Sequence, residues 1–180
     1  MEQWNNGTMW EVADLLSCLQ EWGIPYEKFD HPAVFTCKES DHLCPPMPGA
    51  HTKQLLLRDK TGRRNILAIV MHDKKVDMRA LGRMLGTKDL SFASAERLKR
   101  LLGVDPGSVT PFGLLFEKEH QVEVVMDEDA WDKGVFRFHP LVNTATLIID
   151  RAGFACFLTR TGHTLTVIRI PHIAPHHEER

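Results

Sequence analysis

Three stretches of the chain carry side chains whose type and spacing could do chemistry. In Gly49-Ala50-His51-Thr52-Lys53-Gln54-Leu55, a glycine-containing loop leads into a strand with a lysine at its entrance. A lysine held there is a fixed positive charge, suited to a phosphate, a carboxylate or a developing oxyanion. In Gly107-Ser108-Val109-Thr110-Pro111-Phe112-Gly113, glycines let backbone N–H groups converge on one point and a proline stiffens the loop. This G-x-x-x-P loop is neither a Walker phosphate loop nor a dinucleotide-binding fingerprint. In Phe138-His139-Pro140-Leu141-Val142-Asn143-Thr144-Ala145-Thr146, His139 ends a strand before a proline and Asn143 precedes the next strand. Both side chains donate and accept hydrogen bonds at a strand rim, and His139 could act as a general base. Each stretch also has an ordinary structural reading: an edge lysine, a tight connection after a helix, a histidine bonded to backbone.

Other chemistries find less support. Ser108 has no His/Asp partner in evidence, and no cysteine sits in a nucleophile signature. Cys37, His42, Cys44 and His51 are soft ligands in one region, but Cys37-x6-Cys44 is not a compact metal pair. We expect no metal and no cofactor. His172, His176 and His177 read as a solvated end.

These stretches need elements to hold them. Thr8 and Glu11 form a capping box before Val12, Leu15, Leu16 and Leu19, which recur at helical spacing until Gly23 and Pro25 stop the helix. A loop-like segment follows from Pro32 to Gly49. Gln54–Arg58 and Asn65–Met71 are strand candidates joined by the turn Asp59-Lys60-Thr61-Gly62. Helices are predicted from Asp77 to before Gly86, from Ser94 to Leu102, and after Asp150 to Gly162. Gly107 to Gly113 reads as a turn-rich loop. Gln121–Met126, Val135–Phe138, Thr144–Ile149 and Thr164–Ile170 complete the strands. Interleaved elements without strict βαβ alternation predict a mixed α/β (α+β) fold in a single domain over residues 1–171, with a polar tail at 172–180.

The composition agrees with that class. The chain has 180 residues, 43% apolar and 26% charged, enough for one self-supporting core. No run of 18 apolar residues predicts a membrane span, and the first residues do not resemble a signal peptide. Scattered cysteines suit a reducing, cytoplasmic setting. Lys plus Arg number 22 and Asp plus Glu 24, a net of -2. Yet residues 51–104 hold 13 basic and 5 acidic side chains, a net of +8, leaving -10 elsewhere. That local excess could meet an anionic partner or merely be solvated. Sequence-specific DNA binding is disfavoured, since no helix-turn-helix stands out.

The order of the motifs carries more than any one of them. Met47 to Lys53, Leu57-Arg58-Asp59 and Leu90 to Ser94 come in turn. Then follow Leu102 to Gly113, Phe138-His139-Pro140 and Asn143 to Thr146. The series resembles the YbaK/ProX superfamily of editing domains, and within it the freestanding, prolyl-tRNA synthetase-associated alanyl-tRNA(Pro) deacylases. The resemblance runs from about Trp10 to Ile170. It implies a curved mixed sheet or barrel flanked by helices. It also implies trans-editing, the hydrolysis of mischarged tRNA with Ala-tRNA(Pro) as substrate; a non-catalytic tRNA- or synthetase-binding module is the alternative.

The resemblance assigns Lys53, His139, Asn143, Gly107 and Ser108 to the catalytic site. Loop N–H groups would hold an oxyanion, Lys53 the terminal nucleotide, and His139 and Asn143 the sugar or water. Phe35, Met47 and Pro48 would wall a small side-chain pocket, a second sieve. His51, Thr52, Gln54, Pro111, Phe112 and Gly113 would complete substrate binding. Gln54 stands where that family usually has Asn. Arg58, Lys60, Arg63, Arg64, Lys74 and Lys75 would meet acceptor-stem phosphates, with prolyl-tRNA synthetase or an elongation factor as further partners.

Overall fold

Residues 11–34 and 43–173 are described by a computed structural model. Helix α1 (Val12–Glu21) starts at Glu11, which shares a reciprocal cap with Asp14. The N-cap is thus Glu11 rather than Thr8, which lies outside the described residues. Leu15 and Leu19 turn inward from α1. Among the described residues eight strands follow as β1 (Glu27–Asp30), β2 (Thr52–Arg58), β3 (Asn65–Met71), β4 (Ser91–Phe92), β5 (Val122–Asp127), β6 (Val135–Phe138), β7 (Ala145–Asp150) and β8 (Leu165–Ile168). Between them lie α2 (Met78–Met84), α3 (Ala95–Leu102), the four-residue α4 (Glu128–Trp131) and α5 (Arg151–Thr161). Asp77, Ser94 and Asp150 cap α2, α3 and α5 by accepting from the backbone N–H three residues on. Gly103 and Gly162 end α3 and α5 in left-handed geometry.

The strands form two sheets, β1-β7-β6, and β4-β2-β3-β5-β8, whose β3-β5 and β5-β8 pairs are parallel. They do not close into a barrel. A parallel bridge between Ala50 and Phe136 stitches the entry of β2 to β6 and so links the two sheets. β3 is central and buried on both faces. Its odd-numbered residues Leu67 and Ile69 join the larger core with α1, α3 and α5. Its even residues Ile66, Ala68 and Val70 join a smaller group with Leu81 of α2. Pairing of Lys53 with Val70 places Lys53 on that second face, and Thr52 and Gln54 on the first.

Four elements escaped the sequence pattern. β1 is short, half-charged and largely exposed. β4 has two residues. α4 is a single turn, and the predicted 107–113 loop continues into a 3-10 turn, Pro111–Leu115. The chain also remains paired past the predicted boundary at 171. His172 bridges Val76, and the Ile173 N–H donates to the Lys75 carbonyl (2.8 Å).

Candidate active site

The entry of β2 is fastened to β6 from both sides. Ala50 N–H donates to the Val135 carbonyl at 2.7 Å. The Arg137 guanidinium donates to the carbonyls of Met47 and Pro48, so one planar fork holds both loop peptides. Gly49 has φ +86, and a Cβ there would stand 2.9 Å from Val135 Cγ1, so only glycine fits this approach. Lys53 and His139 each lie three residues beyond the bridged pair Ala50 and Phe136. Thr52 Oγ1, donating to the Arg137 carbonyl at 3.1 Å, shows that the two segments still run side by side there.

His139 is mostly buried, and its ring hydrogen-bonds to the backbone of Gly107, which ties the strand rim to the glycine loop. Loss of hydration, then the neighbouring imidazoles of His31 and His51, lower its pKa to about 4. His139 is therefore neutral near pH 7, with one ring nitrogen engaged and the other able to exchange a proton with a ligand. The rings of His31 and His139 are 6.1 Å apart. His31 is fixed at both nitrogens, by the Pro32 carbonyl (2.8 Å) and by Thr146 Oγ1 (3.0 Å). His51 stacks on His72 with centroids 4.4 Å apart and planes 11° from parallel. Four histidines from four segments thus surround the Lys53 end of β2.

The glycine loop is arranged by its own contacts. Gly107 takes φ +92, and Ser108 N–H donates to the Asp105 carbonyl (3.0 Å). Thr110 Oγ1 accepts from Phe112 N–H at 3.3 Å, and Gly113 N–H donates to the Thr110 carbonyl (3.2 Å). Among the described residues, the N–H groups of Val109 and Thr110 have no acceptor. Half-buried Ser108 has no base beside its hydroxyl among those residues.

Other predicted site residues fall elsewhere. Phe112 is wholly buried, edge-on to Phe138 and Phe157, so it packs the core rather than meeting a ligand. A Cβ at Gly113 would lie 2.6 Å from the Leu102 carbonyl oxygen, so this glycine admits α3, not a substrate. Pro111 is buried at the start of the 3-10 turn. The Asn143 amide donates to the Val34 carbonyl (3.1 Å) and thereby holds the 31–34 segment. Gln54 folds back onto Thr52 Oγ1 (2.8 Å), away from the Lys53 face. Met47 is buried and Pro48 exposed, while Phe35, Cys37 and His42 lie outside the described residues. Among the described residues no three His, Cys, Asp or Glu side chains gather to hold a metal.

The six basic residues do not make one patch. Arg64 is spent on Glu123 through two 2.6 Å bonds and on the Leu85 carbonyl. Lys74 is nearly buried between Asp127 (2.6 Å) and Asp129 (2.8 Å). Neither cation is available to a phosphate, because each closes an internal contact. Arg58, Lys60 and Arg63 cluster at the β2–β3 turn, with Lys60 3.8 Å from Asp89. The five-residue step from Lys53 to Arg58 spans about 17 Å of strand. Exposed Lys75 stands at the histidine end.

Sequence reasoning missed His31, His72 and Arg137. His31-Pro32 repeats the His139-Pro140 pair, and antiparallel register sets His72 opposite His51 once the hairpin is drawn. Arg137 carries no such signal, since its role depends on carbonyls about 90 residues away.

The chain has known counterparts in sequence and in fold. Residues 31–156 match the family profile of the aminoacyl-tRNA editing domain. The chain is 31% identical, over 87% of its length and 95% of the relative's, to the prolyl-tRNA editing protein ProX of Acetoanaerobium sticklandii. It is 35% identical to prolyl-tRNA synthetase associated domain-containing protein 1 of Xenopus laevis, covering 86% of this chain and 94% of that one. A solved structure of a candidate trans-editing enzyme for prolyl tRNA synthetase shares the fold, with TM-score 0.65 at 18% identity, covering 91% of this chain and 100% of that one. A hypothetical protein aligns with TM-score 0.67 at 16% identity over 89% of this chain and 99% of its own.

Proposed function

Because the chain belongs to the aminoacyl-tRNA editing domain family, we propose that it is a trans-editing deacylase. It hydrolyses the ester that joins a wrong amino acid to the 3′-terminal ribose of a tRNA, with alanyl-tRNA(Pro) as substrate. The observation that carries this reading is neutral His139, bonded to the Gly107 backbone just past the strand that the Ala50–Phe136 bridge joins to the entry of β2. The name of the ProX relative supports tRNA(Pro) as the nucleic acid.

Ester hydrolysis passes through a tetrahedral oxyanion, so fixed donors around that oxygen lower the barrier most. The N–H groups of Val109 and Thr110, held by the Thr110 turn, are suited to this. Lys53 binds the terminal nucleotide through phosphate or sugar oxygen as a point charge. His139 is neutral, so it accepts a hydrogen bond from water or a ribose hydroxyl rather than adding a second cation. No nucleophilic serine or cysteine is needed. Water attacks the carbonyl carbon, the C–O bond to the ribose breaks, and the proton passes to the leaving ribose oxygen.

The substrate follows from a panel. Ala-tRNA(Pro) should lose its alanine far faster than Pro-tRNA(Pro) or Ala-tRNA(Ala) lose their amino acids. Equal loss from all three would remove the tRNA(Pro) assignment, and acceptor-stem binding with no loss from any would make the domain a binding module.

A further inference from the structure

Both His51 and His72 stand on the Lys53 face of β2 and β3, opposite one another across the hairpin. Their rings are nearly parallel at 4.4 Å and only half-buried. Among the described residues His72 Nδ1 is buried without a hydrogen-bond partner, so this ring is held by packing. A flat, stacked aromatic pair beside a lysine is suited to stacking a base next to its own phosphate. His51 also lies close enough to His139 to depress its protonation, so a base on this pair would stand beside the reacting centre.

The turn that carries His72 is built to keep the ring in place. Lys74, two residues on, is clamped between Asp127 at the end of β5 and Asp129 of α4, and also donates to the Ile170 carbonyl (3.3 Å). Asp127 is wholly buried and accepts from Ile170 N–H at 3.0 Å. The C-terminal segment 171–173 is bonded to residues 75–77 on the far side of the same turn.

We propose that the His51–His72 pair is a stacking platform for a purine base, the terminal adenine of the tRNA, an inference that rests on the deacylase reading above. It assigns to His72 a binding role and to His51 a specific mode of contact. Because stacking is tolerant of base identity, the platform would hold the end of any tRNA. Choice of tRNA would come from elsewhere.

A short RNA ending in CCA, with 2-aminopurine in place of its last adenine, reports the contact directly. The wild-type protein should quench the fluorophore on binding and should bind an oligonucleotide lacking that last base about tenfold more weakly. His72→Leu should lose most of the quenching and about tenfold in affinity, whereas His72→Phe, which keeps a ring, should retain both. Unchanged fluorescence on binding, equal affinity for the baseless oligonucleotide, or a His72→Leu protein that binds like the parent overturns the platform. In each of those cases, continued hydrolysis of Ala-tRNA(Pro) leaves the deacylase reading standing. Failure of the wild-type protein to bind the RNA or to hydrolyse the ester overturns both.

Discussion

At His139, burial and two neighbouring imidazoles oppose the protonated form, and one hydrogen bond to Gly107 favours it. The balance lowers the folded pKa from 6.5 to about 4. A lowered histidine pKa means that the unfolded chain takes up a proton at higher pH than the folded one. Stability is thus fully kept above pH 6.5 and lost as pH falls from there toward 4, by roughly 3 kcal/mol at the lower end. His139→Gln cannot titrate. Urea unfolding at pH 7 and at 4.5 should therefore show the parent losing stability relative to this variant, and a parallel loss in both would deny the shift. Lys53, the glycine loop and His139 stood out in the sequence through the order of their motifs, since each alone has an ordinary structural reading. What the sequence hid was direction: adjacent residues of β2 face opposite sides, so Gln54 turns to Thr52 and not to the lysine beside it.

Elements in the middle of the fold were readable because their caps and periodicity are strong. Ser94 and Gly103 bound α3, and Asp150 and Gly162 bound α5, as their residue types predict. β1 and β4 were not readable, because each is held by a neighbour and not by its own pattern: β1 pairs with β7, and β4 with the last residues of β2. Far from the site, a buried carboxylate fixes how β5 begins. Glu117 accepts from Glu119 N–H (3.1 Å), Val122 N–H (3.2 Å) and His163 Nε2 (3.1 Å). Hydration lost on burial opposes its charge, but hydrogen bonds from the Gln121 backbone, His163 and the Val122 backbone outweigh it and its pKa is lowered. Its contribution is present above the normal glutamate range and fades as pH falls through it. Glu117→Ala leaves three donors without an acceptor and should cost about 3 kcal/mol in urea denaturation at pH 7, with much less difference near pH 3. A loss under 1 kcal/mol at pH 7 would show that the donors find other partners.

Across the whole molecule, the near-neutral charge of -2 conceals a basic middle segment, but the fold divides that segment. Arg64 and Lys74 serve internal ion pairs, while Arg58, Lys60 and Arg63 stand together at the turn end of the hairpin. That division could not be read from charge counts, since it depends on Glu123, Asp127 and Asp129 arriving from later strands and helices. Reversing Arg58 and Arg63 to Glu should weaken tRNA binding and flatten its salt dependence, with little change in melting temperature. Lys74→Met should do the reverse, lowering stability because Asp127 is left buried without its partner. If both variants bind tRNA like the parent, the turn end is only a solvated surface.

The central claim is that this domain cleaves an aminoacyl ester at the Lys53–His139 end of the curved sheet. Its most direct test is alanine release from Ala-tRNA(Pro), followed with enzyme in excess, for the parent and for Lys53→Ala. The account predicts release by the parent well above the rate in buffer, and at least a hundredfold loss in the variant. Release by the parent at the buffer rate would contradict the reaction, and release by Lys53→Ala as fast as by the parent would contradict the site.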